Sequence, residues 1–487
     1  MKKNRVLSLL LLLCILLCCL TPALAEQTAD PYDPNFPAPK ALTDAQFPAD
    51  LSVDGKAAAL IELNTGTLLF AQNIDQVLYP ASLTKIMTCM LAIRYGNMDD
   101  VLTVSEEALA DQKRFDLGCT LIAGEQLTLR ELLYCTMVAS VNEACNVIAE
   151  HLGGSVEAFV EMMNKQAAEL GMQDTNYCNP HGLHDSRHVT TVRDLSTLAR
   201  WAWQNEQFRE FCTTTYHTVP ATNLSGERNL KTTNYLTSTR VTDRYYYDKA
   251  EGLKTGFTTP AGGCLISTAT QGNVSFMSIF CGGKTVANED GSYTDMRFVE
   301  SKRMLQYGVE HYSRVQVLSR LVMSGQMDVL YADGRSSVVV HPAADVSVLL
   351  PDSVDLTKIE LRVQYDTERA EAPLAEGERV GTVSAVCGDL VLATVDLVTL
   401  TAVRRDPNAG DKPTPSQSEV PSDSTEPTNA PSVPTEPTPS GDTEGGRMRY
   451  VVPMVLLALL IPVLVIVAMR QWNKLRYGGK KSGGKRR

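Results

Sequence analysis

Hydrophobic positions along the chain fall into blocks of different period, and each period predicts a kind of element. The folded pattern begins near Leu51. Ala57 to Glu62 and Thr67 to Phe70 are strand-like runs around Asn64-Thr65-Gly66, which predicts a hairpin. Apolar residues then recur at helical spacing, at Ile86, Met87, Met90, Leu91 and Ile93, and again at Leu132, Leu133, Met137 and Val138. Cys264 to Thr268 and Val274 to Phe280 return to strand texture. Strands, then helices, then strands predict one layered α/β (α+β) domain over residues 51–312 whose sheet uses both ends of the segment. From about Arg314 the texture changes. Ile359, Leu361, Val363 and Tyr365 alternate with Glu360, Arg362 and Gln364, the period of a half-buried strand. Val338 to Val340, Val346 to Leu350 and Val391 to Val398 add strands, so residues 313–405 read as a smaller all-β domain.

Outside these blocks the patterning is of other kinds. A basic start, an apolar run from Val6 to Leu20 and a small-x-small site at Ala23-Leu24-Ala25 predict a secretory signal peptide over 1–25. Residues 26–50, rich in Pro, Asp and Ala, read as an irregular segment. Residues 406–449 are dominated by Pro, Ser, Thr, Glu and Asp, cannot bury a core, and predict an extended stalk. Residues 450–469 carry no charge and are long enough to cross a bilayer as a transmembrane helix. The tail, 470–487, holds eight basic residues and no acid, which predicts a cytoplasmic tail and an extracytoplasmic bulk, a single-pass arrangement in the cell membrane. The signal peptide independently requires the same orientation.

Charge and cysteine count narrow the function classes. Formal net charge is −11, and without the basic residues at the two ends the remainder is twice as negative. An acidic body of this kind argues against nucleic acid as a partner. Of twelve cysteines, Cys14, Cys18 and Cys19 leave with the signal peptide. The odd remainder excludes a complete disulfide framework within one chain, and most of these residues sit in apolar stretches and read as small core residues.

Three short motifs carry chemistry. In Tyr79-Pro80-Ala81-Ser82-Leu83-Thr84-Lys85, Pro80 stands just before the helical pattern, so Ser82 is expected at or near a helix N-terminus. Lys85, one turn on, brings an amine within reach of the hydroxyl. A serine needs a base to become a nucleophile, and a lysine can be that base only if burial or a nearby cation lowers its pKa. Ser-x-x-Lys alone is weak, since it recurs at Ser482–Lys485 in the basic tail. Its company is informative. Ser140-Val141-Asn142 supplies a second hydroxyl and an amide, and Lys254-Thr255-Gly256, beside strand-like sequence, supplies the second cation, a further hydroxyl and a glycine that permits close backbone approach.

The order Ser-x-x-Lys, Ser-x-Asn, Lys-Thr-Gly resembles that of penicillin-interacting serine enzymes. With Asn179-Pro-His-Gly-Leu183 and Gly252-Leu-Lys-Thr-Gly-Phe-Thr258, the chain over roughly 50–405 is similar to the serine D-alanyl-D-alanine carboxypeptidases, the low-molecular-mass penicillin-binding proteins. The resemblance implies a penicillin-binding/β-lactamase-like transpeptidase fold followed by the small β domain. Its substrates would be peptidoglycan stem peptides ending in D-Ala-D-Ala, with β-lactams as inhibitors and no cofactor or metal. It implies Ser82 as nucleophile, Lys85 as general base and Ser140 as proton relay to the leaving group. Asn142 would orient the peptide, and Lys254 and Thr255 would hold the terminal carboxylate. The N–H groups of Ser82 and Phe257 would form the oxyanion hole, with Gly256 between. Two positions depart from the family pattern: Val141 replaces a small residue and Glu143 an aspartate, and neither removes a reacting group.

Other readings are weaker. His181, His184, Asp185 and His188 could suggest a metal site, but Pro180 and Gly182 break any helix there, so they read as hydrogen-bonding loop residues. A serine β-lactamase shares the three motifs but would need a deacylating glutamate for which no segment stands out. A wall-binding sensor would not need all four reactive side chains. The stalk reading generates a first test: truncation before Arg447 is expected to release a soluble, penicillin-reactive ectodomain into the medium. A truncated protein that is exported but inert would give the stalk or anchor a role in the fold.

Overall fold

The computed structural model describes residues 38–110 and 119–410. Its centre is a six-stranded sheet built from two distant stretches of chain. The first supplies β1 (Thr43–Asp44), β2 (Ala57–Glu62) and β3 (Thr67–Gln72), and the second β4 (Ala250–Thr258), β5 (Gly262–Gln271) and β6 (Val274–Gly283). Strand order is β1-β3-β2-β6-β5-β4, antiparallel except for the short parallel pairing of β1 with β3. The join between the two stretches is β2 with β6, in a register that sets Glu62 opposite Phe276 and Ala57 opposite Cys281.

Every residue of β2 is buried. Its run of small and branched apolar residues follows from cover on both faces of the sheet, where alternation with polar residues is lost. Ala57, Ala59 and Ile61 face a helical layer comprising α1 (Lys85–Tyr95), α2 (Leu129–Met137), α3 (Asn142–Gly153), α4 (Val156–Glu169), α5 (Val192–Trp203) and α6 (Glu206–Thr213). Ala58 and Leu60 face α7 (Met296–His311) through Phe298, Met304, Leu305 and Val309. The helix ends follow side-chain chemistry. Thr128 accepts a hydrogen bond from the Glu131 N–H at the start of α2, and Asp295 does the same for the Arg297 N–H at the start of α7.

The strand Tyr312–Leu318 follows α7 directly. It pairs with Val346–Pro351, and a second six-stranded sheet follows, formed by Ile359–Tyr365, Arg379–Cys387, Leu390–Thr399, Ser337–Pro342, Gly325–Leu330 and Ala370–Glu371 in that spatial order. Val340, Val383, Ala385 and Leu397 fill its separate core. The fold is therefore a layered α/β domain with an all-β domain after it, the arrangement that the resemblance implies. The candidate signal peptide, stalk, transmembrane segment and tail lie outside the described residues, and among the described residues no helix is long and apolar enough to cross a membrane.

The segment read as irregular is partly built into the fold. Thr43–Asp44 extends the main sheet, Phe47 packs on the second core and its carbonyl accepts from the Tyr312 hydroxyl at 2.9 Å. Among its described residues only Thr43 and Asp44 form a strand, too short a run to show alternation. A second tie is ionic. The Arg314 guanidinium donates to fully buried Glu62 at 2.9 Å, and Glu62 also accepts from Thr65 in the β2–β3 turn. Removing one partner of such a pair strands a buried charge. Arg314→Ala is expected to cost about 3 kcal/mol, read as a lowered urea midpoint, with penicillin labelling intact in the folded fraction. An unchanged midpoint would mean that the pair contributes nothing to stability.

Candidate active site

The three motifs meet at the edge strand β4. After Pro80 the chain makes a 3-10 turn over Ala81–Thr84, and α1 starts at Lys85. Ser82 thus lies in the tight turn just upstream of the α-helix rather than in its first turn. Ala81 has φ +49°, a conformation a non-glycine residue holds only where the surroundings enforce it. Two glycines let the surroundings close in. A Cβ on Gly256 would stand 3.1 Å from the Ser82 nitrogen, so β4 runs directly past the nucleophile. Gly182 has φ +87°, and a Cβ there would stand 1.8 Å from the Ala81 carbonyl oxygen. The loop Asn179–Leu183 thereby supports the turn from beneath. Thr84 donates to the Ala81 carbonyl at 2.9 Å and meets His188 Nε2 at 2.8 Å, and Thr88 donates to the Pro180 carbonyl at 2.6 Å.

Lys85 is fully buried, and its Nζ has three oxygen neighbours: Ser82 Oγ at 3.0 Å, Asn142 Oδ1 at 2.8 Å and the His181 carbonyl at 2.6 Å. A neutral amine has two N–H donors and one lone pair. Two of these neighbours can only accept, so the lone pair is left for the third, the Ser82 hydroxyl. On the far side of the cleft Lys254 Nζ donates to Ser140 Oγ at 2.9 Å and to the Thr255 carbonyl at 3.1 Å. Ser140 sits between α2 and α3 with φ +61°, another enforced conformation. Thr255 Oγ1 lies 2.5 Å from Thr233 Oγ1. The Phe257 side chain is largely exposed, so its contribution to the site is its backbone.

All eight motif residues therefore line one cleft, but the electrostatics differ from the sequence argument in one respect. That argument relied on Lys254 to lower the pKa of Lys85. Burial itself does this, bringing Lys85 down to about 8 against opposing pulls from Cys145 and Glu143. Lys254 is as deeply buried as Lys85, so depth of burial does not rank the two. Burial, the Lys85 charge and Arg297 push Lys254 well below the ordinary lysine range. Two ammonium groups side by side are thus disfavoured here, and a carboxylate beside Lys254 would favour its charged form.

Other residues complete the site without having stood out in the sequence. Arg297 donates to the Gly256 carbonyl at 2.9 Å while paired with Asp295, so it fixes the strand segment that flanks Ser82. The His181 carbonyl holds Lys85, and Thr233 holds Thr255. His181 and His188 are buried in the supporting loop, where burial keeps both imidazoles neutral, His188 titrating at about 4. Among the described residues no group of three or more metal-ligating side chains comes together. All nine cysteines there are free, and seven are buried.

Comparison with known proteins identifies what the chain is similar to. Residues 43–285 match the D-alanyl-D-alanine carboxypeptidase family profile, and residues 322–405 match that of the penicillin-binding protein 5 C-terminal domain. The chain is 28% identical over 350 residues to the D-alanyl-D-alanine carboxypeptidase DacF of Bacillus subtilis, covering 71% of this chain and 85% of that one. It is 30% identical over 227 residues to a D-alanyl-D-alanine endopeptidase of Pseudomonas aeruginosa, covering 46% of this chain and 70% of that one. The crystal structure of penicillin-binding protein 5 from Haemophilus influenzae is similar with a TM-score of 0.53 at 27% identity, over 73% of this chain and 99% of that one.

The loop beneath Ser82 can be tested by contrast. Gly182→Ala adds a methyl group where no space exists, and is expected to cost about 3 kcal/mol and to slow penicillin acylation. Gly171→Ala has a similar φ, +76°, but nothing within 4 Å, and is expected to cost about 1 kcal/mol with acylation unchanged. Thermal unfolding and labelling rates for both variants make the comparison. Equal acylation by the two would remove the loop from the site.

Proposed function

The chain belongs to the D-alanyl-D-alanine carboxypeptidase family, and on that premise we propose how its residues remove the terminal D-alanine from peptidoglycan pentapeptides and why penicillin traps the same group. The observation that carries the reading is the Lys85 amine, buried, 3.0 Å from Ser82 Oγ, with its N–H donors directed to Asn142 and the His181 carbonyl. Lys85 takes the proton of Ser82, and Ser82 Oγ attacks the carbonyl of the penultimate D-alanine. Negative charge then gathers on the carbonyl oxygen, where the N–H groups of Ser82 and Phe257 stabilise it, an effect of about 3 kcal/mol per donor. Ser140, bridged to Lys254, relays to the departing nitrogen the proton that Lys85 took from Ser82, so D-alanine leaves and both Ser140 and Lys85 return to their starting forms. Asn142 orients the peptide backbone while Lys254 and Thr255 hold the terminal carboxylate. Water then releases the shortened peptide from Ser82, with Lys85 again as base.

We further propose that the enzyme works outside the cytoplasmic membrane, tethered by a helix over 450–469. The support is the agreement between the signal-like N-terminus and the basic tail, two charge patterns that arise separately.

The test separates catalysis from binding. Penicillin adduct is expected on the peptide containing Ser82 and is lost in Ser82→Ala. Because the Lys85 pKa is lowered to about 8, the base is protonated below that pH, so acylation falls as pH drops below about 8 and levels off above it. Lys85→Arg, which cannot act as a base near neutrality, is expected to lose about a thousandfold or more. Lys254→Arg keeps a cation for the carboxylate and is expected to acylate measurably with reduced efficiency. Native-like acylation by Lys85→Arg would overturn the assignment of the base.

A further inference from the structure

Two of the free cysteines meet behind the second motif. Cys119 Sγ lies 3.4 Å from Cys135 Sγ, across 16 positions of the chain. A disulfide needs about 2 Å, so the two sulfurs stand one short movement from a bond. Neither thiol takes part in the reaction above.

Each cysteine is set in place by a different part of the fold. Cys135 lies in α2, fully buried, and its carbonyl accepts from the Val141 N–H at 3.0 Å. That bond holds the backbone between Ser140 and Asn142, so the position of Cys135 bears on two residues of the site. Cys119 begins a segment clamped by residues a hundred positions further on. Arg228 donates to the Thr120 carbonyl at 2.8 Å and to the fully buried Glu125 carboxylate at 2.5 Å. Glu125 also accepts from the Ile122 N–H at 3.1 Å and from the Thr222 hydroxyl at 2.8 Å. Segment 119–125 and α2 are thus separately anchored, and their side chains touch at the two sulfurs.

The pair is also arranged for thiol exchange. Cys119 is 7% exposed and Cys135 not at all, so a reagent in solution reaches Cys119 first. The hydrogen bond from Cys135, helped by the Arg228 guanidinium, holds the Cys119 thiol below its ordinary range against the effect of burial. The thiolate is the form that attacks a disulfide. Cys264 and Cys281, thiol neighbours on β5 and β6, are both sealed in the core, where a reagent has no comparable access.

We propose that Cys119 and Cys135 are a disulfide-forming pair, and that their bond clasps segment 119–125 to the helix that carries the second motif. The Cys119 thiolate attacks one sulfur of a small-molecule disulfide, breaks its S–S bond and releases one thiolate. Cys135 gives its proton to that thiolate, attacks the Cys119 sulfur and expels the second thiolate, which takes up the proton Cys119 lost to solvent. Two protein thiols are oxidised, and the reagent is reduced to two thiols. The bond would stabilise the fold by restricting the unfolded chain. The export proposed above would bring the pair to a compartment where disulfides persist, but the chemistry depends neither on export nor on the hydrolytic reading.

The experiment uses the full chain, purified under reducing conditions, freed of reductant and treated with 2-hydroxyethyl disulfide. Peptides separated without reduction are expected to include one joining Cys119 to Cys135. The thermal midpoint is expected to lie about 6 °C above that of the reduced protein. Penicillin should label both forms at the same rate, because the sulfurs already touch and Val141 need not move. Cys135→Ala is expected to keep 2-mercaptoethanol on Cys119 and to show no rise in midpoint. The two redox states of the native protein carry the test even if that variant does not fold. Absence of the joined peptide from oxidised protein that still labels with penicillin overturns the pair. A joined peptide with no rise in midpoint, or with lost labelling, overturns the clasp, as does an equal rise in Cys135→Ala.

Discussion

The site depends on one constraint: an amine held in a fully buried position with three oxygen atoms as its hydrogen-bond partners. Burial lowers the proton affinity of Lys85, and the acceptors around it decide where its lone pair points. Each oxygen comes from a different element. Ser82 belongs to the turn before α1, Asn142 opens α3, and the His181 carbonyl lies in a loop far along the chain. The amine can be neutral, buried and oriented only when all three are in place, so much of the fold serves to bring them together.

The same logic explains where the backbone is forced. Ala81, Ser140 and Gly182 all have positive φ, and all three border the Ser82–Lys85 turn or the cleft opposite it. Cβ-free positions at Gly182 and Gly256 allow backbone to approach backbone on two sides of the nucleophile. Such conformations are sustained by surrounding packing. Here that packing is the hydrogen-bonded loop Asn179–Leu183 and the Arg297 clamp on β4.

What could be read from the sequence divides along the same line. Ser82, Lys85, Ser140, Asn142, Lys254 and Thr255 were legible because their chemistry needs particular side chains at particular spacing, and the strands 57–62, 264–268 and 274–280 because their apolar runs are dense. The His181 contribution was not legible, since a carbonyl belongs to every residue and only tertiary closure selects one. Arg297 and Thr233 act through contacts across long loops, with no local spacing to mark them. The role of Thr43–Phe47 was hidden for a related reason: a strap that touches two cores through a few atoms leaves no period behind. The source of the Lys85 pKa shift was misplaced because sequence suggests which charges are near but not how much water is excluded.

The pairing of β2 with β6 has a consequence in time. Glu62 meets Phe276 only after the entire helical layer has been made, so the sheet has high contact order and cannot close early. A growing chain already contains the Ser82 turn and Lys85 while β4 and β6 are still to come, and in that interval the lysine stays hydrated and protonated, with a pKa near that of any exposed lysine. Reactivity is thus withheld until residue 283 has been added and the sheet has zipped. The order of the strands thus ties the completion of the site to the closure of the sheet.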